Sequence, residues 1–499
     1  MKYGNAAIYY PPTLKNGQFP LLGQNRQFKF TSSKEIRIFP LLPASTATML
    51  KQKGYGTLFL DAINLRLSAE ECFAQLDSFK PDIIIMETKA PLFSLHLAIA
   101  AELKAKYGAK IIFCGDHVSF FPEETLKSGA VDYAVTTGYY DFIITELLDF
   151  LNGKTASMPG GVYYTENGKA VNSGKIKDYD LNSAPFIDRD LTHWEKYGEA
   201  YLYKPAAYIL SGRGCGGASK NPSGLVSEKP GKCAFCIWQH ALWGRAAKLR
   251  SAANFAEEVE ILVKKYRVKE IFDDNESGGT WHEGWLKELY EELNKRKLLG
   301  KFYISSNARA DALTEERCAL LKKIGYRLLK VGLESANDKT LQIIQKDEDF
   351  ATIEKGIKTA KRHGFAVLLT TMVGYPWENE QDAENTYRKA KELMLYKTHF
   401  GDSMQSSIIL PYPGTPLFIY AEKNGYLTGN ASDYTLYDME HDIVKGSFDN
   451  AAWCKKMWKI HLHPLFMFRS LITLRRLQDI KLAVTGMLSL LGHLKDYGE

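Results

Sequence analysis

The sequence has no long apolar run, no strong excess of either charge and few cysteines. No apolar stretch approaches the roughly 18 residues of a membrane-spanning helix. Formal net charge is only +6 over 499 residues, and the basic residues are scattered, which does not indicate a nucleic-acid-binding surface. The seven cysteines are an odd number, and no secretory signal precedes them. We therefore expect reduced thiols in a cytoplasmic, anaerobic protein.

The first third of the chain alternates between strand-like and helix-like segments. Apolar strands are predicted at 36–39, 57–60, 82–86, 110–113 and 131–135. Five such units predict an α/β fold with a doubly wound, Rossmann-like parallel sheet, which binds ligands beyond the carboxyl ends of its strands. A polar segment with Gly-Gly and Asn-Gly pairs follows, and it predicts a hairpin and linker.

A second and cleaner αβ series begins near residue 205. Its predicted strands are 206–210, 268–272, 302–306, 328–333, 366–373 and 404–410. Six βα units place the chemistry at the carboxyl ends of the strands. The tail after residue 420 changes to a helical pattern rich in Trp, His, Leu and Arg. We therefore expect a doubly wound domain at 1–152, a linker or hairpin region at 153–204, the βα series at 205–420 and a helical cap at 421–499.

Three cysteines follow the first strand of the second series. Cys215 ends the run Ser-Gly-Arg-Gly-Cys, and a 17-residue spacer separates it from the pair Cys233-Ala-Phe-Cys236. Thiolates at a strand end suit iron–sulfur or zinc. Three thiolates are one fewer than a closed four-iron cluster needs, so one iron would stay open. Three unrelated cysteines, or a zinc knuckle short of one ligand, also agree with the spacing.

Further motifs follow in order, and together with the cysteines they resemble the radical S-adenosylmethionine (radical SAM) superfamily from about residue 206 to 417. They are Phe272-Asp-Asp-Asn275, Ser306-Asn-Ala-Arg-Ala-Asp311, Gly332-Leu-Glu-Ser335, Gly374-Tyr-Pro376 and Leu410-Pro-Tyr-Pro-Gly-Thr-Pro416. The resemblance implies a partial (β/α)6 TIM barrel with a 4Fe-4S cluster on Cys215, Cys233 and Cys236. The family's usual spacing is C-x3-C-x2-C, so the long first gap is a departure. A flexible insertion there costs only about 0.6 kcal/mol per doubling of its length.

The resemblance also implies which residues contact S-adenosylmethionine (SAM). Phe235 and Gly374 would line the adenine pocket, and Asp273 or Asp274 would hold the amine. Arg309 would hold the carboxylate, or else form a structural pair with Asp311. Glu334 would lie on the ribose side. SAM bound to the open iron would then yield a radical that removes hydrogen from inert carbon.

The first domain resembles the cobalamin-binding domain of the cobalamin-dependent radical SAM branch. The segments that carry this resemblance are 36–45, 81–88, 114–124 and 131–138, and the implied cobalamin contacts are Thr88, Gly115, His117, Thr137 and Gly138. Asp116 and His117 are adjacent, so the D-x-H-x-x-G ligand motif of cobalamin mutases is missing. We therefore expect no histidine beneath the cobalt. Alternatively, His117 caps a helix and the sheet binds nothing.

Together these resemblances imply an enzyme that binds a 4Fe-4S cluster, SAM and cobalamin, with flavodoxin or ferredoxin as the electron donor. Methyl transfer to an unactivated carbon of a small molecule or lipid is the expected reaction. The alternatives are a cyclase or rearrangement enzyme with bound cobalamin, an RNA methylthiotransferase, and a non-enzymatic cobalamin carrier. The basic and apolar tail at 466–494 predicts either a capping helix or a helix on a membrane surface.

Overall fold

The first domain is a seven-stranded sheet with helices on its faces. The computed structural model describes residues 1–22, 28–33, 35–216, 233–244, 246–439 and 441–496. The strands are β1 (Asn5–Tyr10), β4 (Gly56–Asp61), β5 (Ile83–Glu87), β6 (Lys110–Cys114), β7 (Tyr133–Val135), β8 (Val162–Glu166) and β9 (Lys169–Asn172), while β2 (Phe19–Pro20) and β3 (Phe30–Thr31) form a separate ribbon. The helices are α1 (Leu41–Gln52), α2 (Ala62–Leu65), α3 (Ala69–Phe79), α4 (Phe93–Tyr107), α5 (Asp116–Phe120), α6 (Pro122–Lys127) and α7 (Tyr140–Leu151).

The order in this sheet is β4-β1-β5-β6-β7-β8-β9. The strands from β4 to β7 are parallel, and β8 and β9 add an antiparallel hairpin at one edge. Every residue of β5 is buried, as expected for a parallel strand covered on both faces. The doubly wound sheet is confirmed, and the hairpin predicted within 153–204 extends it.

The predicted strand at 36–39 is wrong. That segment has only an isolated bridge between Arg37 and Gly198, and α1 begins two residues after it, at Leu41. The strand that pairs with both β4 and β5 is instead β1. Both segments are short and apolar, and only the pairing with the rest of the sheet distinguishes them.

The second domain is a six-stranded parallel sheet whose strands follow one another in chain order. These strands are β10 (Ala206–Ile209), β13 (Glu270–Asp273), β14 (Tyr303–Ala308), β15 (Tyr326–Glu334), β16 (Ala366–Val373) and β17 (Ser403–Ile408), with a small ribbon of β11 (Gly212–Arg213) and β12 (Lys248–Leu249) beside them. Its helices are α8 (Ile237–Ala241), α9 (Ala252–Lys264), α10 (Glu283–Lys295), α11 (Glu315–Ile324), α12 (Asp338–Ile343), α13 (Phe350–Arg362), α14 (Glu380–Leu395) and α15 (Pro416–Lys423). All six predicted strands are confirmed.

The tail forms α16 (Asn450–Trp458), α17 (Pro464–Ile472) and α18 (Leu477–Asp496). Within the described ranges, no helix combines the length and apolar character needed to cross a bilayer. One hydrophobic core continues from the first sheet through the second and into α16, and it includes Ile85, Phe272 and Met457.

A buried ion pair also joins the two domains. Arg213, in β11, donates to both carboxylate oxygens of Asp141, in α7, at 2.9 and 2.6 Å and to the carbonyl of Gly138 at 2.7 Å. The side chains of Arg213 and Asp141 are 6% and 0% exposed. The segment that leads into Cys215 is therefore fixed to the first domain.

Candidate functional site

A cavity of about 300 Å³ lies at the carboxyl ends of β14 to β17. All three motif cysteines line it, together with Phe235, Arg309 and Glu334. Parallel strands leave their ends at one edge of a sheet, where loops bring side chains together. The structure thus brings six of the predicted site residues into one space.

Backbone contacts fix the cysteine loops. The N–H of Cys215 donates to Oε1 of Gln239 at 2.9 Å, and the N–H of Cys236 donates to the carbonyl of Cys233 at 3.1 Å. Ala234, between the paired cysteines, donates its N–H to the carbonyl of Ile344 at 2.7 Å. Both cysteine segments are therefore anchored to the second domain. The glycine-rich segment 217–232 lies outside the described residues.

Burial raises the pKa of all three thiols, that of Cys215 to about 11. Such thiols become thiolates only when a cation compensates the buried negative charge. Among the residues that the structure describes, no three metal-binding side chains lie close enough to surround a single metal ion. The three thiols do line one cavity, which suits a four-iron cluster held by three cysteines.

A network of five charged side chains forms one wall beside the cysteines. Arg309 contacts Asp311 at 3.0 Å and Glu348 at 3.5 Å. Lys346 contacts Glu334 at 3.3 Å and Glu348 at 3.7 Å. Burial alone lowers the pKa of Lys346, but the two carboxylates outweigh it and the pKa is raised. The network thus pairs two basic side chains with three carboxyl groups in one wall, and such pairing is what buried charges require.

The backbone at Glu334 is left-handed, with φ of 61°. This conformation is uncommon for a residue with a side chain and often marks functional sites. A Cβ on Gly332 would lie 2.0 Å from Oε1 of Glu334 and 2.8 Å from Nζ of Lys346. The glycine of the Gly-Leu-Glu-Ser motif therefore makes room for the carboxylate and its lysine.

Sequence reasoning missed Lys346 and Glu348. Both lie in the connection between α12 and α13, and no motif predicted for the site includes them. Two isolated charges in a polar loop give no signal on their own. Only the folded chain shows that they reach Glu334 and Arg309.

Three of the predicted SAM contacts do not line this cavity. Asp273 accepts a 2.8 Å hydrogen bond from the N–H of Ser211 and is fully buried, and Asp274 donates its backbone N–H to the carbonyl of Ile209. A Cβ on Gly374 would lie 2.6 Å from the side chain of Asn450 in α16. Glu276 lines the cavity instead, and burial raises its pKa to about 7.

The five predicted cobalamin contacts lie at the carboxyl ends of β5, β6 and β7. Thr88 is buried and its hydroxyl lies 2.9 Å from Nδ1 of His96. Gly115 has φ of 113°, and a Cβ there would lie 2.7 Å from the carbonyl of Thr88. Thr137 also has a positive φ, 71°. A Cβ on Gly138 would lie 2.1 Å from the ring of Trp243.

His117 lies among aromatic rings. Its ring centroid is 4.4 Å from that of Phe93, 5.1 Å from Phe121 and 4.7 Å from Tyr434 of the cap region. Burial lowers its pKa to about 4, and its Nε2 is buried without a hydrogen-bond partner. The low pKa keeps the ring neutral near pH 7, and Nε2 is a buried polar atom without a partner at this edge of the sheet.

Comparison with known proteins identifies the second domain. Residues 230–390 match the radical SAM superfamily, a span that holds two of the cysteines and the whole charged network. The region 230–390 is a radical SAM domain. The radical SAM resemblance drawn from the sequence is thereby confirmed.

Similar proteins align with this chain over both of its domains. An uncharacterized methyltransferase from Pyrococcus horikoshii is 27% identical over 80% of this chain and 82% of its own length. The anaerobic magnesium-protoporphyrin IX monomethyl ester cyclase of Rubrivivax gelatinosus is 25% identical over 76% of this chain and 65% of its own. The radical SAM methyltransferase TsrM from Kitasatospora setae, solved with cobalamin and a [4Fe-4S] cluster bound, aligns with a TM-score of 0.66 over 98% of this chain and 99% of that one, at 14% identity. This chain thus shares the fold of a radical SAM methyltransferase that was solved with cobalamin bound.

Proposed function

We propose that this radical SAM enzyme holds a 4Fe-4S cluster on Cys215, Cys233 and Cys236, binds SAM beside it, and methylates an unactivated carbon with the help of cobalamin. The observation that carries the proposal is the single cavity lined by three thiols and a buried wall of both charges. When bound, the cluster and SAM supply a radical that removes hydrogen from carbon, and cobalamin supplies a methyl group. Flavodoxin or ferredoxin stays the predicted electron donor.

The charged wall suits the methionyl end of SAM, which carries an amine and a carboxylate close together. Arg309 and Lys346 are the cations that would pair with the carboxylate, and Glu334 or Glu276 would accept from the amine. All four line the cavity. Lys346 and Glu334 already contact each other at 3.3 Å. The carboxylate and amine of SAM would therefore lie beside a basic and an acidic side chain that are neighbours themselves.

Cobalamin is proposed for the sheet edge that carries Gly115, His117 and Thr137. Two buried polar atoms without hydrogen-bond partners, Nε2 of His117 and Nε1 of Trp238, lie there and in the adjoining cavity wall. Orphaned atoms of this kind call for an explanation, and a large polar cofactor provides one. TsrM, which shares the fold, was solved with cobalamin bound, and this supports the proposal that the chain binds the cofactor.

The rest of the cavity wall indicates the kind of substrate. Lys29, Glu199 and Lys330 line it, and Lys29 and Glu199 are 5% and 3% exposed. Gln405 and Ser406 add neutral polar groups. A wall with these groups favours a substrate with a polar, charge-bearing end, which is either a small molecule or the head group of a lipid.

Anaerobic reconstitution with candidate substrates tests the function. Equal formation of S-adenosylhomocysteine and 5'-deoxyadenosine supports methylation, because one SAM donates the methyl group and another yields the radical. 5'-Deoxyadenosine without S-adenosylhomocysteine would instead support a cyclase or rearrangement, the alternative favoured by similarity to the Rubrivivax cyclase. A protein that reconstitutes with iron but never cleaves SAM would refute both.

Arg309→Ala is expected to weaken SAM binding about ten- to a hundredfold, because a charge-assisted hydrogen bond contributes about 1.5–3 kcal/mol. The measurement is a SAM titration of variant and wild type at equal cluster loading. Asp311→Asn is the matched variant, since it keeps the guanidinium but weakens its 3.0 Å pair. If Asp311→Asn loses as much affinity as Arg309→Ala, then Arg309 acts only through the network.

The bound cobalamin is expected to have no imidazole beneath its cobalt, because His117 is held among three aromatic rings and its pKa is lowered to about 4. Electron paramagnetic resonance of the cob(II)alamin form should show no nitrogen superhyperfine splitting. His117→Phe should give the same spectrum and retain the cofactor. A spectrum with splitting that disappears in His117→Phe would show that the histidine is a ligand.

A further inference from the structure

Helix α18 is apolar on two opposite faces. Leu482 and Leu490 lie on its inner face and are 7% and 8% exposed. On the same face Asp479 is 4% exposed and accepts a hydrogen bond from Tyr203, and Ser489 lies 3.5 Å from the hydroxyl of Ser33. This face attaches the helix to the protein. The other apolar face is in solvent.

The outer face has the spacing of a continuous stripe. Its members are Leu477 at 82% exposed, Ile480 at 53%, Val484 at 57%, Met487 at 43%, Leu488 at 53% and Leu491 at 55%. At about 100° per residue they fall within an arc of about 100°, opposite the buried face. Of the eighteen large hydrophobic side chains exposed on the described chain, eleven lie between residues 465 and 491, so the exposure is concentrated in α17 and α18.

The exposed charges of this segment are all basic. Arg475, Arg476 and Lys481 are exposed, whereas the only acidic residue between 464 and 492 is the buried Asp479. A second copy of this helix would bring like charges together, without the opposite charges that specify paired helices. An anionic lipid surface offers an apolar layer for the stripe and negative head groups for the basic side chains.

We propose that α18, joined by the exposed apolar side chains of α17, lies on an anionic membrane surface. The outer stripe enters the boundary between head groups and acyl chains, and Arg475, Arg476 and Lys481 contact the anionic head groups. The inner face keeps its packing on the protein. This inference is independent of the reaction catalysed.

Flotation of the full-length protein with vesicles tests the proposal. The expected result is binding to vesicles of equal parts phosphatidylglycerol and phosphatidylcholine, weaker binding in high salt, and little binding to pure phosphatidylcholine. The double variant Ile480→Ser, Leu488→Ser should bind about ten- to a hundredfold more weakly. Lys481→Ala should lose about fivefold. Ile419→Ser is the matched control, because Ile419 is 58% exposed but lies outside this segment.

Three results would overturn the proposal. One is the absence of flotation with the anionic vesicles, and another is an equal loss in Ile419→Ser. The third is a wild-type dimer in sedimentation that the Ile480→Ser, Leu488→Ser variant dissociates, since the stripe would then be an interface between copies. Unchanged iron content and melting temperature in the variants separate a surface effect from misfolding.

Discussion

Cys215→Ala is expected to abolish the iron–sulfur cluster and, with it, SAM cleavage. Cys215 lines the same cavity as Cys233 and Cys236, and two thiolates cannot hold three irons of a four-iron cluster. Cys233→Ala and Cys236→Ala should have the same effect. Iron and sulfide content, the visible absorption of the anaerobically reconstituted protein and the yield of 5'-deoxyadenosine are the measurements.

Cys318→Ala is the control for this prediction. Cys318 is fully buried in α11 and does not line the cavity, so its loss should leave the cluster intact. A normal cluster spectrum and cleavage rate in Cys215→Ala would contradict the assignment and require another ligand.

Asp141→Ala is expected to lower the free energy of unfolding by about 3–5 kcal/mol, because it leaves the guanidinium of Arg213 buried and unpaired. The pair is bidentate, and Arg213 also contacts the carbonyl of Gly138. Arg213 lies two residues before Cys215, so we also expect poorer cluster loading. Denaturant unfolding of the apoprotein and iron content after reconstitution measure the two effects.

An exposed ion pair provides the comparison. Lys51 and Asp188 lie 2.6 Å apart with side chains 53% and 26% exposed, and breaking such a pair costs at most about 1 kcal/mol. Lys51→Ala should therefore have little effect. If Asp141→Ala costs no more than Lys51→Ala, the Arg213 pair does not stabilise the contact between the domains.

The second sheet was predictable from the sequence because each of its strands is an apolar run bounded by helix-like segments. The strands of the first sheet were harder to predict. The segments at 5–10 and 36–39 are both short and apolar, and hydrophobicity does not say which one pairs with β4 and β5. That choice is made by tertiary contacts, among them the bridge between Arg37 and Gly198.

For the site, the motifs located the cysteines, Arg309 and Glu334 in one cavity. Arg309 directly follows β14 and Glu334 ends β15, while the cysteines lie in the long connection between β10 and β13 of the same parallel sheet. Lys346 and Glu348 were not predictable, since a loop delivers them and loop paths are not encoded in a periodic pattern. Asp273 and Gly374 stay predictions as SAM contacts. In the structure the carboxylate of Asp273 accepts from the backbone of Ser211 and Gly374 meets Asn450.

The hydrophobic core that runs through both sheets makes the two domains one cooperative unit. Cutting the chain near residue 204 would leave apolar surface on each piece, and a fragment that exposes such surface aggregates rather than folding alone. A shortened protein that carries only the radical SAM region is therefore a poor starting point for expression. Because the core is shared, a substitution that destabilises the first domain should also destabilise the segments that hold the cysteines.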